Sequence, residues 1–194
     1  MCGIVGIYLK TKKFEKNLGK MLSGMLNNME SRGPDSAGFA IYKNEGNKIY
    51  KFSLCINNLN FNIFKKELSK KIKKTKLNQI SDHVILKTEE KPKKVLEILN
   101  LNFPDVSIVG YGKSIEIFKQ VGNPKDVVKK FKLGDFSGTH GIGHTRMATE
   151  SAITTDGSHP YSTGEDECLV HNGSLSNHNN LRRELSKKGN IFNS

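Results

Sequence analysis

MCGIVGIY, residues 1–8, is the stretch from which the rest of the chain is read. Residues 2–8 form a short apolar run with Ile, Val and Tyr, which predicts a buried strand. Met1 is readily removed when the second residue is as small as Cys2. Cys2 then becomes an N-terminal residue with its own base, because a free α-amine has a pKa of about 7.7–8.0. A cysteine thiol, at about 8.5, needs such a base to act as a nucleophile. Gly3 lets a substrate approach the backbone closely. Taken alone, a Cys at position 2 is more often an inert buried thiol.

Working outward, Leu18, Met21, Leu22, Met25, Leu26 and Met29 have helical spacing, which predicts an amphipathic helix over 17–30. The loop SRGPDSAG, residues 31–38, ends it. Strands follow at 38–43 and 48–54, and the turn between them, with Gly46, predicts a hairpin. A lysine-rich stretch, 56–105, has a helix at 61–76, a strand at 82–88 and a helix at 92–100 with Pro92 in its first turn. Strands are expected at 106–110 and 114–120, and Asn123–Pro124 starts a helix to about 132. GTHGIGHTRMAT, residues 138–149, reads as a strand leading into a functional loop. CLVHNG, residues 168–173, reads as a strand ending in a tight turn. Ser176 is expected to cap a last helix, 177–188, with Gly189 past its end. Residues able to do chemistry therefore gather at the N-terminus, at 31–38 and at 140–178. The middle of the chain contributes almost none, which suggests an insertion within a catalytic domain.

Composition narrows the classes. The 194 residues suffice for one domain with a real core, and 36% of them are hydrophobic. No apolar run of about 18 residues exists to span a membrane, and the N-terminus lacks the basic head of a signal peptide. Cys2, Cys55 and Cys168 form no C-x-x-C pair or disulfide framework, which points to a reducing, cytoplasmic setting. The net charge of +12 invites a nucleic-acid reading. Arginine is scarce, however (Arg32, Arg146, Arg182 and Arg183), and base readers favour its bidentate fork. The run Lys65 to Lys76 reads as the wet side of a helix whose apolar side carries Phe64, Leu68 and Ile72. Six scattered histidines have no ligand spacing, so neither metal nor cofactor is expected.

Two short motifs carry chemistry. In HNG, 171–173, the Asn172 amide and the Gly173 backbone N–H can donate to a developing oxyanion; the plain alternative is an Asn-Gly turn. In GHTRMAT, 143–149, Arg146 stands among small residues and can clamp a carboxylate bidentately; the alternative is a structural ion pair. His144, His159 and His171 read as packed, hydrogen-bonded histidines rather than bases. Asp35 and Ser36 read as structural turn residues.

MCGIVGIY, SRGPDSAG, GIGHTRMAT, SHPYS and LVHNGSLSNHNNLRREL, in that order, resemble the class II glutamine amidotransferases. The resemblance covers residues 1–54 and 106–193. Within the class, TRMATES with HPYS and HNGSLSNH with LRREL look most like the stand-alone amidotransferases related to glutamate synthase. Glucosamine-6-phosphate synthase is similar but usually has Trp where Met147 stands and His where Glu150 stands. The resemblance implies an α+β fold, the four-layer αββα sandwich of the N-terminal-nucleophile (Ntn) hydrolases. It implies that Cys2 attacks the side-chain amide of L-glutamine to form a γ-glutamyl thioester. Its α-amine would move the proton to departing ammonia, Asn172 and Gly173 would form the oxyanion hole, and Arg146 would hold the α-carboxylate. Met147 and Thr149 would line the pocket, and Arg32 would buttress the Cys2 loop.

Two departures qualify this expectation. Residues 56–105 are long relative to shorter members and read as an inserted α/β lobe. The chain also ends at Ser194, before an acidic family motif whose Asp binds the glutamine α-amine, so the sandwich is expected to be truncated at its C-terminal side. No ammonia-accepting domain is recognisable, so the expected partner is a separate synthase subunit. The alternatives are the glutaminase part of glucosamine-6-phosphate synthase, a silent amidotransferase-like binding module and, on charge alone, a nucleic-acid binder.

Overall fold

The computed structural model describes residues 2–190 except 45, 47, 58, 149–151, 174 and 175. In chain order the elements are β1 (Gly3–Tyr8), α1 (Leu18–Asn28), β2 (Ser36–Tyr42), β3 (Tyr50–Cys55), α2 (Phe61–Lys71), β4 (Lys76–Ile80), β5 (His83–Thr88), α3 (Pro92–Asn102), β6 (Ser107–Gly112), β7 (Ile115–Val121), α4 (Pro124–Lys130), β8 (His140–Arg146), β9 (Tyr161–Gly164), β10 (Glu167–Leu169) and α5 (His178–Lys187). The strands form two four-stranded antiparallel sheets, β1–β8–β2–β7 and β4–β5–β3–β6, with β9 and β10 as a separate ribbon.

Alternation along the strands sorts side chains into layers. Val5, Ala37, Phe39, Ile41 and Phe118 share one face of the first sheet and pack with Leu18, Leu22 and Leu26 of α1 and Val127 of α4. Gly143 makes this approach close: a Cβ there would lie 2.9 Å from Leu26 Cδ2. Phe52, Leu54, Val84 and Leu86 share the outer face of the second sheet and are buried with Phe64 and Leu68 of α2 and Val95 and Leu99 of α3. Ala40, Cys55, Val109, Ile115 and Ile117 fill the space between the sheets. The order of layers is α–β–β–α, the sandwich that the resemblance implies. Where β7 ends the first sheet, its Ile117 N–H donates to the Ser53 hydroxyl at 2.8 Å, so this edge is satisfied by the facing sheet. Fully buried Lys51 is compensated by Glu116 at 3.0 Å and by the Lys43 and Ser114 carbonyls.

Several elements differ from the sequence expectation. The strands at 38–43 and 48–54 are not a hairpin. β2 is flanked by β7 and β8, so both its edges are taken and the chain crosses to the other sheet to begin β3. The helix expected to reach 76 stops at Lys71, because Ile72 is extended and Lys74 has a positive φ of 54°. Polar β4 follows as an edge strand paired with β5. The last helix starts at His178 after Asn177, without a side-chain cap, so Ser176 is not its N-cap. Gly189, at φ 86°, lies past its end as expected. The lysine-rich stretch 56–105 supplies α2, β4, β5 and α3, half the strands of the second sheet and its outer helices. Among the described residues no helix is long and apolar enough to cross a membrane.

Candidate active site

Gly3 pairs with Thr145, and Ser36 with Arg146, so β1, β2 and β8 bring their functional ends together. Thr145 faces α1, where its hydroxyl donates to the Met29 carbonyl at 3.2 Å. Cys2 and Arg146, one residue further along their strands, therefore belong to the opposite, inter-sheet face.

Three separate segments meet at Cys2. Its thiol lies 3.8 Å from the Met147 carbonyl. Its own carbonyl accepts from Asn172 Nδ2 at 2.9 Å and from Arg32 Nε at 3.4 Å. Cys2 is half-buried, whereas Arg32, Met147, Asn172 and Gly173 are exposed. Arg146 is buried and donates to the Ala152 carbonyl at 3.1 Å. Thr149 lies outside the described residues.

The loop 31–36 is laid directly on the end of β8. A Cβ on Gly33 would lie 2.4 Å from the Thr145 carbonyl carbon and 2.5 Å from Arg146 N, distances that only glycine tolerates. Asp35 clips the same place: its N–H donates to the Arg146 carbonyl at 3.1 Å and its carboxylate accepts from Ala148 N–H at 2.7 Å. Ser36 is buried at the start of β2. Gly33→Ala is expected to cost about 2 kcal/mol of stability, as overpacking against backbone does. Urea unfolding checks this, and wild-type stability in the variant would contradict the close approach.

His144 is buried beneath the HNG segment, and its Nε2–H donates to the His171 carbonyl at 3.1 Å. Its ring packs 4.2 Å from that of His159, which meets Tyr161 edge-on at 4.4 Å. Burial pushes His144 down to about 4 and His159 down to about 3, so both are neutral near pH 7. His171 itself is exposed. Because the unfolded histidines titrate near 6.5, the unfolded chain binds protons first as the pH falls. Stability is therefore full above about pH 6.5 and is lost toward pH 4, by on the order of 3 kcal/mol for His144 alone. The check is urea unfolding at several pH values. His144→Gln, which does not titrate, is expected to flatten the slope, and an unchanged slope would contradict this account.

Two residues that hold segments leading to the site have no counterpart in the sequence reading. Buried Lys119 donates to the carbonyls of Asp156 and Ser158, each at 2.9 Å, and lies 4.9 Å from the Tyr161 ring; burial pushes its pKa down to about 8. A lysine on the inward row of an otherwise apolar strand was the available signal. The other residue, Asp166, is at the turn of the β9–β10 ribbon. A cavity of about 530 Å³, lined by Ile41, Lys43, Lys130 and Phe136 among others, is at the opposite end of β2 from Cys2. Among the described residues, Cys55, Asp82 and His83 bring possible metal-ligand atoms within 4.8 Å of one another. Their groups already bond one another, Asn57 and Lys130.

An αββα sandwich with a cysteine heading an edge strand of its first sheet is of the N-terminal-nucleophile type. The chain is 49% identical over 195 residues to the glutamine amidotransferase-like protein GlxB of Rhizobium meliloti, covering 99% of this chain and 65% of that one. It is 30% identical over 213 residues to a candidate glutamine amidotransferase of Methanothermobacter thermautotrophicus, covering 99% and 67%. Over 82 residues it is 42% identical to a glutamine–fructose-6-phosphate aminotransferase of Methanococcus maripaludis, 42% of this chain and 14% of that one. No family profile matches the chain. The chain belongs to the class II glutamine amidotransferases. It spans about two thirds of the length of the first two relatives.

Proposed function

We propose that this chain is a glutaminase unit that hydrolyses L-glutamine to glutamate and ammonia through Cys2. The observation that supports this most is the meeting of Met147, Asn172 and Arg32 at Cys2, from three distant parts of the chain. After removal of Met1, the Cys2 α-amine takes the thiol proton while sulfur attacks the side-chain amide carbon. An amide nitrogen carries two hydrogens. One of those on Asn172 holds the Cys2 carbonyl, and the other, with the Gly173 N–H, is assigned to the tetrahedral oxyanion. Collapse breaks the carbon–nitrogen bond, and the amine returns its proton to the leaving ammonia. Water then hydrolyses the γ-glutamyl thioester, releasing glutamate and restoring the thiol. Arg146 is assigned to the substrate α-carboxylate, with Met147 and Thr149 lining the pocket and Arg32 supporting the Cys2 loop.

The ammonia acceptor is assigned to a synthase partner, by subgroup resemblance one related to glutamate synthase, in the cytoplasm. The three cysteines are free, in keeping with a reducing compartment. The partial match to a glutamine–fructose-6-phosphate aminotransferase favours a second reading, the glutaminase part of a hexosamine-phosphate synthase. Incubation of the processed chain with L-glutamine is expected to release glutamate and ammonia in equal amounts. Absence of both products from a folded, Met1-free chain would overturn the proposal.

A further inference from the structure

We infer that Asp166 is a positioning residue: its carboxylate pins the β9–β10 ribbon to the turn between β6 and β7 and so sets where Asn172 meets Cys2. The inference rests on the glutaminase reading above. Asp166 is remote from the chemistry, yet it is tied down at every polar atom of its side chain. Oδ1 accepts from Ser114 N–H at 2.8 Å, from the Ser114 hydroxyl at 2.8 Å and from Ile115 N–H at 3.0 Å. Oδ2 accepts from Lys113 N–H at 3.0 Å, and the Asp166 N–H donates to the Tyr111 carbonyl at 3.0 Å. The fit has no slack: a Cβ on Gly112 would lie 2.2 Å from Oδ1. Asp166 also has φ 58°, a left-handed conformation that Asp and Asn adopt more readily than other side-chain-bearing residues. Burial raises its pKa, but the hydrogen bonds from Lys113, Ser114 and Ile115 outweigh this and hold it below the usual carboxylate range.

The connection to the site is short. β10 begins at the next residue, Glu167, and ends at Leu169; Val170 and His171 then lead to Asn172. His144 holds the near end of this segment through the His171 carbonyl, and Lys119 holds the approach to β9 through Asp156 and Ser158. The ribbon itself is only four and three residues long and pairs with a register shift between Glu167 and Cys168, so its own ladder sets its position weakly. Its seat on the sandwich comes from the Asp166 turn, with one bridge between Glu165 and Tyr111 and with Cys168, whose thiol lies 3.3 Å from the Tyr42 hydroxyl and packs against the cluster between the sheets.

A misplaced oxyanion donor weakens the transition state and leaves ground-state binding of glutamine intact. Asp166→Ala is therefore expected to lower kcat about ten- to a hundred-fold while KM for glutamine stays within about two-fold. Asp166→Asn keeps the left-handed turn and the acceptor at Oδ1, and is expected to restore kcat to within about three-fold of wild type. Both are measured as steady-state glutaminase kinetics on chains shown by circular dichroism to be folded. Unchanged kcat in Asp166→Ala, or a loss carried by KM, would overturn the inference. If Asp166→Ala does not fold, Ser114→Ala removes one bond to Oδ1 and is expected to lower kcat about two- to five-fold at constant KM; unchanged kcat there overturns it equally. Wild-type chain that cannot hydrolyse glutamine counts against the glutaminase reading, whereas active wild type with unaffected variants counts against the ribbon anchor alone.

Discussion

Cys2→Ala is expected to abolish glutamine hydrolysis, lowering kcat by at least about a thousand-fold, because no other group can form the thioester. The variant should still fold. The Cys2 side chain is half-buried and makes one long contact, to the Met147 carbonyl at 3.8 Å, while Asn172 and Arg32 bond its backbone carbonyl, which alanine retains. Stability should therefore change by less than about 1 kcal/mol. Ammonia release followed in parallel with urea unfolding separates the two effects. Residual activity within ten-fold of wild type would remove Cys2 from the mechanism.

The second large effect concerns the backbone nitrogen of the same residue. An N-terminal extension that cannot be cleaved turns the Cys2 α-amine into an amide and removes its basicity. General-base catalysis is worth about a hundred- to ten-thousand-fold, so the extended chain should lose that much activity with the same fold. A matched chain whose extension is removed by a protease to leave Cys2 first should recover it. Activity of the processed chain should also rise with pH through the α-amine pKa, about 7.7–8.0. An extended chain as active as the processed one would mean that another group takes the thiol proton.

The meeting of the candidate site residues was more legible in the sequence than the strand pairing around them. Cys2, Arg146 and Asn172 stand in short motifs whose residue types state their chemistry, and β8 and the HNG segment bring two of those motifs to the head of β1. Long-range pairing was less legible. The turn signal at Gly46 marks a reversal but does not say which sheet receives the next strand, and β2 has no free edge for β3. β4 was missed because an edge strand of Lys76, Asn78 and Gln79 is polar where a central strand would be apolar. The role of the histidines lay between these cases. Their spacing excluded little, and only burial of His144 and His159 against each other makes them neutral packing groups. Asp166 was invisible for another reason. In GEDE it is one acid among several, and its partners, Lys113 to Ile115, are more than 50 residues away.

The central claim is that Cys2, freed of Met1, is the nucleophile. It is tested most directly by treating the untagged chain with diazo-oxo-norleucine, an electrophilic glutamine analogue, and mapping the adduct by peptide mass spectrometry. The predicted result is a single adduct on the Cys2 sulfur of a peptide that begins at Cys2, blocked by excess L-glutamine, with Cys55 and Cys168 unmodified. A peptide that retains Met1 and carries an unlabelled Cys2 would contradict the account.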